Sequence, residues 1–173
     1  MPIPHSLLTL LAEKPRSASE LRRSFEEITM QLWPLNQGQV SQTLNRLQRD
    51  GFVEKHGQAV GERGHTTDLF AITQAGRDEL ERWFSRATVQ AENERDELVI
   101  KIAVAQSVRK SDTEQLIQLQ REAVMQQLRE TMRQSRETPP ERSAQRLLLE
   151  RRIFNLEAEN RWLDYIETLK DPQ

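Results

Sequence analysis

The chain has 173 residues, 36% of them hydrophobic and 30% charged, with no cysteine, a formal net charge of −2 and a mean hydropathy of −0.76. That length suits one ordinary domain or a small domain with an appendage. Lack of cysteine excludes disulfides, thiolate nucleophiles and cysteine-held zinc, while the near-neutral balance excludes a polybasic nucleic-acid binder acting through bulk field.

Residues 1–85 carry 10 basic and 11 acidic side chains and the remainder carry 15 and 16, so any DNA contact has to rest on a few placed cations. The opening residues show no basic leader, and the apolar run 7–11, broken by Thr9, is too short for a signal or membrane span. A soluble, cytoplasmic protein is expected.

The first helix is predicted over 3–13, with Pro4 in its first turn and Leu7, Leu8, Leu10 and Leu11 on a wide apolar face; Lys14-Pro15 ends it. Ser17-Ala18-Ser19-Glu20 reads as a capping box, and Leu21, Phe25 and Ile28 give a second amphipathic helix to about Thr29. Leu32-Trp33-Pro34-Leu35 is the connector. Asn36 caps a third helix, with Gln39 reaching back, and Asp50-Gly51 stops it. Its apolar stripe, Val40, Leu44 and Leu47, is narrow. The opposite side carries Gly38, Gln42, Asn45 and Arg49, flanked by Ser41 and Arg46, and contains no acid, which suits a helix lying in a groove.

A short strand over 52–56, a loop over 57–66 with three glycines and a returning strand over 67–72 make a hairpin with a long tip. Thr73 caps the next helix, with Leu80, Trp83 and Phe84 as its buried side. After a polar stretch near 90–94, apolar residues surround Lys101 on nearly every side, which predicts a largely buried helix over 98–105. Ser111-Asp112-Thr113-Glu114 opens a long helix through Leu116, Leu119, Ala123, Met125 and Leu128, and Thr138-Pro139-Pro140-Glu141 ends it and begins the last one. That final helix, 141–169, has two apolar stripes. One runs through Leu149, Ile153, Leu156, Leu163 and Ile166; the other runs through Leu147, Phe154, Ala158, Trp162, Tyr165 and Leu169. One stripe suits the chain's own core and the other a partner.

His5, His56 and His65 are scattered with no i,i+3 or i,i+4 pairing, so a metal site is not expected. No nucleophile–base constellation or phosphate-binding glycine loop is visible, so no catalytic residue or cofactor is expected and a small hydrolase or transferase is a poor rival. Helix, helix, helix, hairpin and helix within about 85 residues is the winged-helix order, in which the third helix enters the major groove and the hairpin reaches the backbone.

Residues 8–84 resemble the PadR family of transcriptional regulators. The likeness is carried by Leu32-Trp33-Pro34-Leu35-Asn36-Gln37-Gly38-Gln39-Val40, Thr43-Leu44, Arg46-Leu47 and Asp50-Gly51, and downstream by Phe70-Ala71-Ile72-Thr73, Ala75-Gly76-Arg77 and Trp83. The part from Asp96 looks like the helical tail of the longer members. Three positions depart from the pattern. Ser17-Ala18-Ser19 stands where His-Gly-Tyr is frequent, Ser41 where an aromatic is, and Asp68 where a basic residue is, the last two where DNA would be touched.

The expected architecture is therefore mainly α: a winged helix-turn-helix of three helices and a two-stranded wing over 1–87, then a helical dimerisation domain over 88–173. The resemblance implies a homodimeric repressor on a palindromic operator. Expected DNA contacts are Asn36, Gln37, Gly38, Gln39, Ser41, Gln42, Asn45, Arg46 and Arg49 on the third helix, with Lys55, Arg63 and His65 on the wing. Dimerisation falls to Leu149, Ile153, Leu156, Trp162, Leu163 and Ile166. A small aromatic effector, on the family's pattern, would use Trp33, Arg161 and Trp162, its acidic group meeting Arg161. The rival reading is a winged-helix adaptor that binds another regulator without specific DNA binding.

Overall fold

The computed structural model describes residues 3–60, 66–88, 96–108 and 113–169. The chain divides into two compact units, Met1–Val89 and Gln90–Gln173.

The first unit contains helices α1 (Ile3–Glu13), α2 (Ala18–Ile28), α3 (Gln37–Arg49) and α4 (Gln74–Ser85) and strands β1 (Arg16–Ser17), β2 (Val53–Val60) and β3 (Thr66–Ile72). Its core joins Leu7, Leu8 and Leu11 of α1 to Leu21 and Phe25 of α2, Val40, Leu44 and Leu47 of α3, and Phe70 and Ile72 of β3. Ile28, expected on the α2 stripe, is exposed, because α2 ends there and the chain turns through Met30 and Gln31, both at positive φ.

The wing is three-stranded in the order β1-β3-β2, not two-stranded. Arg16 and Ser17 pair with Phe70 and Leu69, and Ser17 at once caps α2. A two-residue strand that doubles as a helix cap has no periodicity to read. β2 runs to Val60, so residues 57–60, expected in the loop, belong to the ladder.

Two junctions hold α3 and α4 to the sheet. Gly51, at φ 79°, closes α3 in a Schellman turn, with its N–H donating to Gln48 O (3.1 Å) and that of Phe52 to Leu47 O (2.9 Å). Thr73 caps α4, accepting from Gly76 N at 3.1 Å while its hydroxyl donates to Gly51 O at 2.7 Å. Leu80 is buried and Trp83 half-buried, stacked on His5 with ring centroids 5.2 Å apart. Phe84, expected in the core, is exposed and meets only the edge of Trp83, since α4 is covered on one side alone.

In the second unit α5 (Glu97–Val108), α6 (Thr113–Glu137) and α7 (Ala144–Glu167) form a helical layer dominated by the α6–α7 hairpin. Ser143 caps α7, so the last helix begins later than Glu141. Ser111 and Asp112 lie outside the described residues. The buried line of α6 is not the expected Leu119 and Ala123, which are exposed, but Thr113, Ile117, Val124, Thr131 and Ser135, with Leu128 half-buried. With Leu128 these positions fall at spacings of four, three and seven, the heptad pattern of a coiled-coil seam. The seam is apolar where Ile117 and Val124 meet Leu156 and Leu163, and polar towards the hairpin bend, where Ser135 Oγ donates to Glu150 at 2.8 Å and Arg146 bridges Glu150 and the last carbonyls of α6.

Two further expectations change. α5 is not largely buried: Ile102 is, but Val99, Ile100 and Val104 are exposed, because within one chain its cover comes from a single side. Of the residues expected at a dimer interface, Leu156, Leu163, Trp162 and Ile166 belong to the chain's own α5–α7 core and Ile153 is buried, while Leu149 is half-buried. A stripe already matched to the α6 seam is not available to a partner. The uncovered side of α7 is the other stripe, with Leu147, Phe154, Tyr165 and Leu169 each more than half exposed.

Candidate nucleic-acid interface

α3 is held by its narrow buried seam and by both ends. At its start Asn36 Oδ1 accepts from Gln39 N at 2.8 Å and Gln39 Oε1 accepts from Asn36 N at 3.0 Å. Gly38 fits beneath this box: a Cβ there would lie 3.3 Å from Asn36 Oδ1. Of the expected contact residues, Asn36 and Gln39 therefore have their carboxamide oxygens engaged and present mainly N–H groups.

Gln37, Gln42, Asn45, Arg46 and Arg49 are exposed and Ser41 is half-buried. Amides and guanidiniums on one rigid face are the groups that pair bidentately with adenine and guanine edges. Arg46 has no partner among the described residues. Arg49 does: its Nε donates to Asp50 Oδ1 at 2.8 Å, which raises the guanidinium's pKa and lowers that of Asp50.

On the wing the ladder pairs Lys55 with Phe70, Gly57 with Leu69 and Gln58 with Asp68, leaving His56 as an extra residue in a bulge. Gly57, at φ 130°, accommodates the distortion. Asp68 receives Lys55 Nζ on Oδ2 at 2.6 Å and Gln58 Nε2 on Oδ1 at 3.1 Å. These bonds, that of Lys55 foremost, hold the Asp68 carboxyl below the usual carboxylate range. Arg63 and His65 lie outside the described residues. Sequence reading marked Lys55 but not Gln58, whose signal is three-dimensional: only the bulge brings it to the face of Asp68.

The residues expected to meet an effector fall in different surroundings. Trp33 is exposed in the first unit. Trp162 lines a cavity of about 470 Å³ with Asp96, Leu98, Val99, Gln120, Ala158 and Glu159, so its charged walls are carboxylates. Arg161 is exposed and outside that lining, because it follows the turn of α7 directed away from α6.

No described helix is long and apolar enough to cross a membrane, and no described group of His, Asp and Glu side chains is arranged to hold a metal.

A capped, acid-free helix set on a three-helix core beside a β-wing defines a winged helix-turn-helix unit, here followed by a helical unit. Residues 7–82 match the Transcriptional regulator PadR-like family and residues 94–170 the Virulence activator alpha C-term family. Over residues 7–82 the chain is therefore similar to PadR-like transcriptional regulators.

A probable transcriptional regulator of Mycobacterium tuberculosis is 30% identical over 90 residues, which are 49% of this chain and 44% of that protein. The chain thus spans under half of this relative's length. Bacillus subtilis PadR in complex with operator DNA shares the fold at a TM-score of 0.57 and 20% identity, covering 96% of this chain and 97% of that one; its complex with p-coumaric acid gives 0.58 and 20%, with 95% of each chain covered. The Vibrio cholerae virulence activator AphA gives 0.52 and 23%, again over 95% of both chains.

Proposed function

We propose that the chain is a sequence-specific double-stranded DNA-binding regulator that acts as a homodimer on a two-fold operator and represses. The observation that carries this reading is α3: exposed Gln42, Asn45, Arg46 and Arg49, no acid among them, on a helix fixed by a cap at each end and a fully buried seam. Such a helix offers direct readout from a rigid mount. The B. subtilis PadR complex with operator DNA supports the same use of the fold.

Homodimerisation is supported by the uncovered apolar faces of α5 and α7, Val99, Ile100 and Val104 on one and Leu147, Phe154 and Tyr165 on the other. Apolar surface repeated along helices at seam-like spacing is the surface a second copy covers. We also propose a small aromatic effector at Trp162, a reading supported by the p-coumaric acid complex of B. subtilis PadR. Asp96 and Glu159 beside Trp162 favour a compound bearing hydrogen-bond donors or positive charge over an aromatic acid.

The experiment is selection of duplexes from a random pool by the full chain, followed by footprinting. The expected result is a two-fold motif whose half-sites lose affinity, by about 1–3 kcal/mol per lost contact, when Gln42, Asn45 or Arg49 becomes alanine. If the triple-alanine chain binds the selected duplex as well as wild type, α3 is not the reader. If no motif emerges, the adaptor reading replaces this one.

A further inference from the structure

Lys55 and Gln58 lie three apart on β2 and in a regular strand would point to opposite faces. The bulge at His56 changes this: counted by the ladder, Lys55 and Gln58 are two rungs apart and both meet Asp68 on β3. Two donors converging on one carboxylate, 2.6 Å and 3.1 Å from separate oxygens, reproduce the donor set that a wing offers to a backbone phosphate. All three side chains are at the protein surface, with Lys55 57% and Asp68 35% accessible.

We propose that Asp68 is an intramolecular stand-in for a DNA phosphate, holding Lys55 and Gln58 in contact geometry while competing with the duplex for them, and so limiting sequence-independent affinity. This rests on the DNA-binding reading above and says how tightly the wing takes part. A cation already neutralised by its own chain displaces little counterion from DNA. Because Asp68 is ionised at all physiological pH values, the restraint is constant rather than a switch. The neutral balance of the first unit fits the same economy: discrimination is left to α3, and the wing adds little indiscriminate hold.

The test uses the full chain, a duplex selected by it from a random pool, and an unselected duplex of equal length, with affinities measured between 50 and 300 mM salt. Asp68→Asn keeps the shape and leaves Gln58 an amide partner. It is expected to tighten both duplexes by a similar factor, about five- to tenfold near 0.1 M salt, and to steepen the slope of log affinity against log salt by about 0.9, one added phosphate contact. In a Lys55→Gln background the same substitution should change neither quantity.

Unchanged affinity and slope in Asp68→Asn, while wild type binds its selected duplex, overturn this proposal alone. So does an effect that persists without Lys55, since any lost acid would then serve. If neither wild type nor Asp68→Asn binds any duplex, the DNA reading falls and this proposal with it. Binding gained only by Asp68→Asn supports the proposal.

Discussion

Gly76 sits in the first turn of α4, where the helix passes closest to the sheet. A Cβ added there would lie 2.2 Å from the backbone oxygen of Phe52 and 2.7 Å from Cγ1 of Ile72. The first neighbour cannot swing aside, because that carbonyl accepts the Thr73 N–H at 3.0 Å and its residue is held by the turn that closes α3. Gly76→Ala therefore sets two effects against each other. Alanine in a helix gains up to about 1 kcal/mol over glycine, and overpacking against fixed backbone costs about 3 kcal/mol, the upper part of the usual range. The net expectation is destabilisation by about 2 kcal/mol, or roughly 8–16 °C in the melting temperature of a unit this size. Trp83, on the same helix, reports the transition by fluorescence in urea or heat. An alanine variant as stable as wild type would refute the reasoning, because it would mean that the α4–β2 junction gives way freely.

Glu20→Gln should cost about 0.5–1 kcal/mol at pH 7 by weakening the capping box of α2. Ser17 holds the Glu20 carboxyl below its usual value of 4.5, so this stability is present above that value and fades as pH falls through the folded-state value; urea melts at pH 7 and pH 3 should show the variant's deficit shrinking. Gln31→Gly should stabilise the first unit by about 0.5–1 kcal/mol, since Gln31 is left-handed at φ 57° and glycine adopts that backbone without steric cost; calorimetry that finds a loss would count against the turn as described. Phe154→Asp, at a residue 63% exposed in the single chain, should yield folded monomers by light scattering, whereas an intact dimer would place the interface elsewhere. Aromatic compounds with donor groups should quench tryptophan fluorescence, and quenching undiminished in Trp162→Phe would move the effector site away from α7.

The first unit was legible because its signals are local. Asn36 and Gln39, Ser17 and Glu20, and Asp50-Gly51 fix helix ends within a few residues of chain, and the structure forms each of those bonds. The wing was legible as a hairpin but not as a site, since Asp68 meets Lys55 across 13 residues and Gln58 only through a bulge. In the second unit, hydrophobicity misled twice. Thr131 and Ser135 occupy buried seam positions of α6 while Leu119 is exposed, because threonine and serine can return their hydroxyls to the helix or to a partner, as Thr131 does to Gln127 O at 2.8 Å and Ser135 to Glu150 at 2.8 Å. α5 is apolar around most of its circumference, a pattern that marks surface needing cover without saying which molecule supplies it.

The uneven seam between α6 and α7 separates energy from alignment. Its apolar half, Ile117, Val124, Leu156 and Leu163, would tolerate sliding by one heptad, exchanging one aliphatic contact for another. The polar half would not: Ser135 would lose Glu150, and Arg146 would leave the last carbonyls of α6 without a donor. A slide of seven residues moves one helix about 10 Å along the other, close to a third of the roughly 34 Å that separates successive half-sites on DNA. In the dimeric, two-half-site reading proposed above, the serine, glutamate and arginine near the bend would act as a vernier stop that allows the tail only one length.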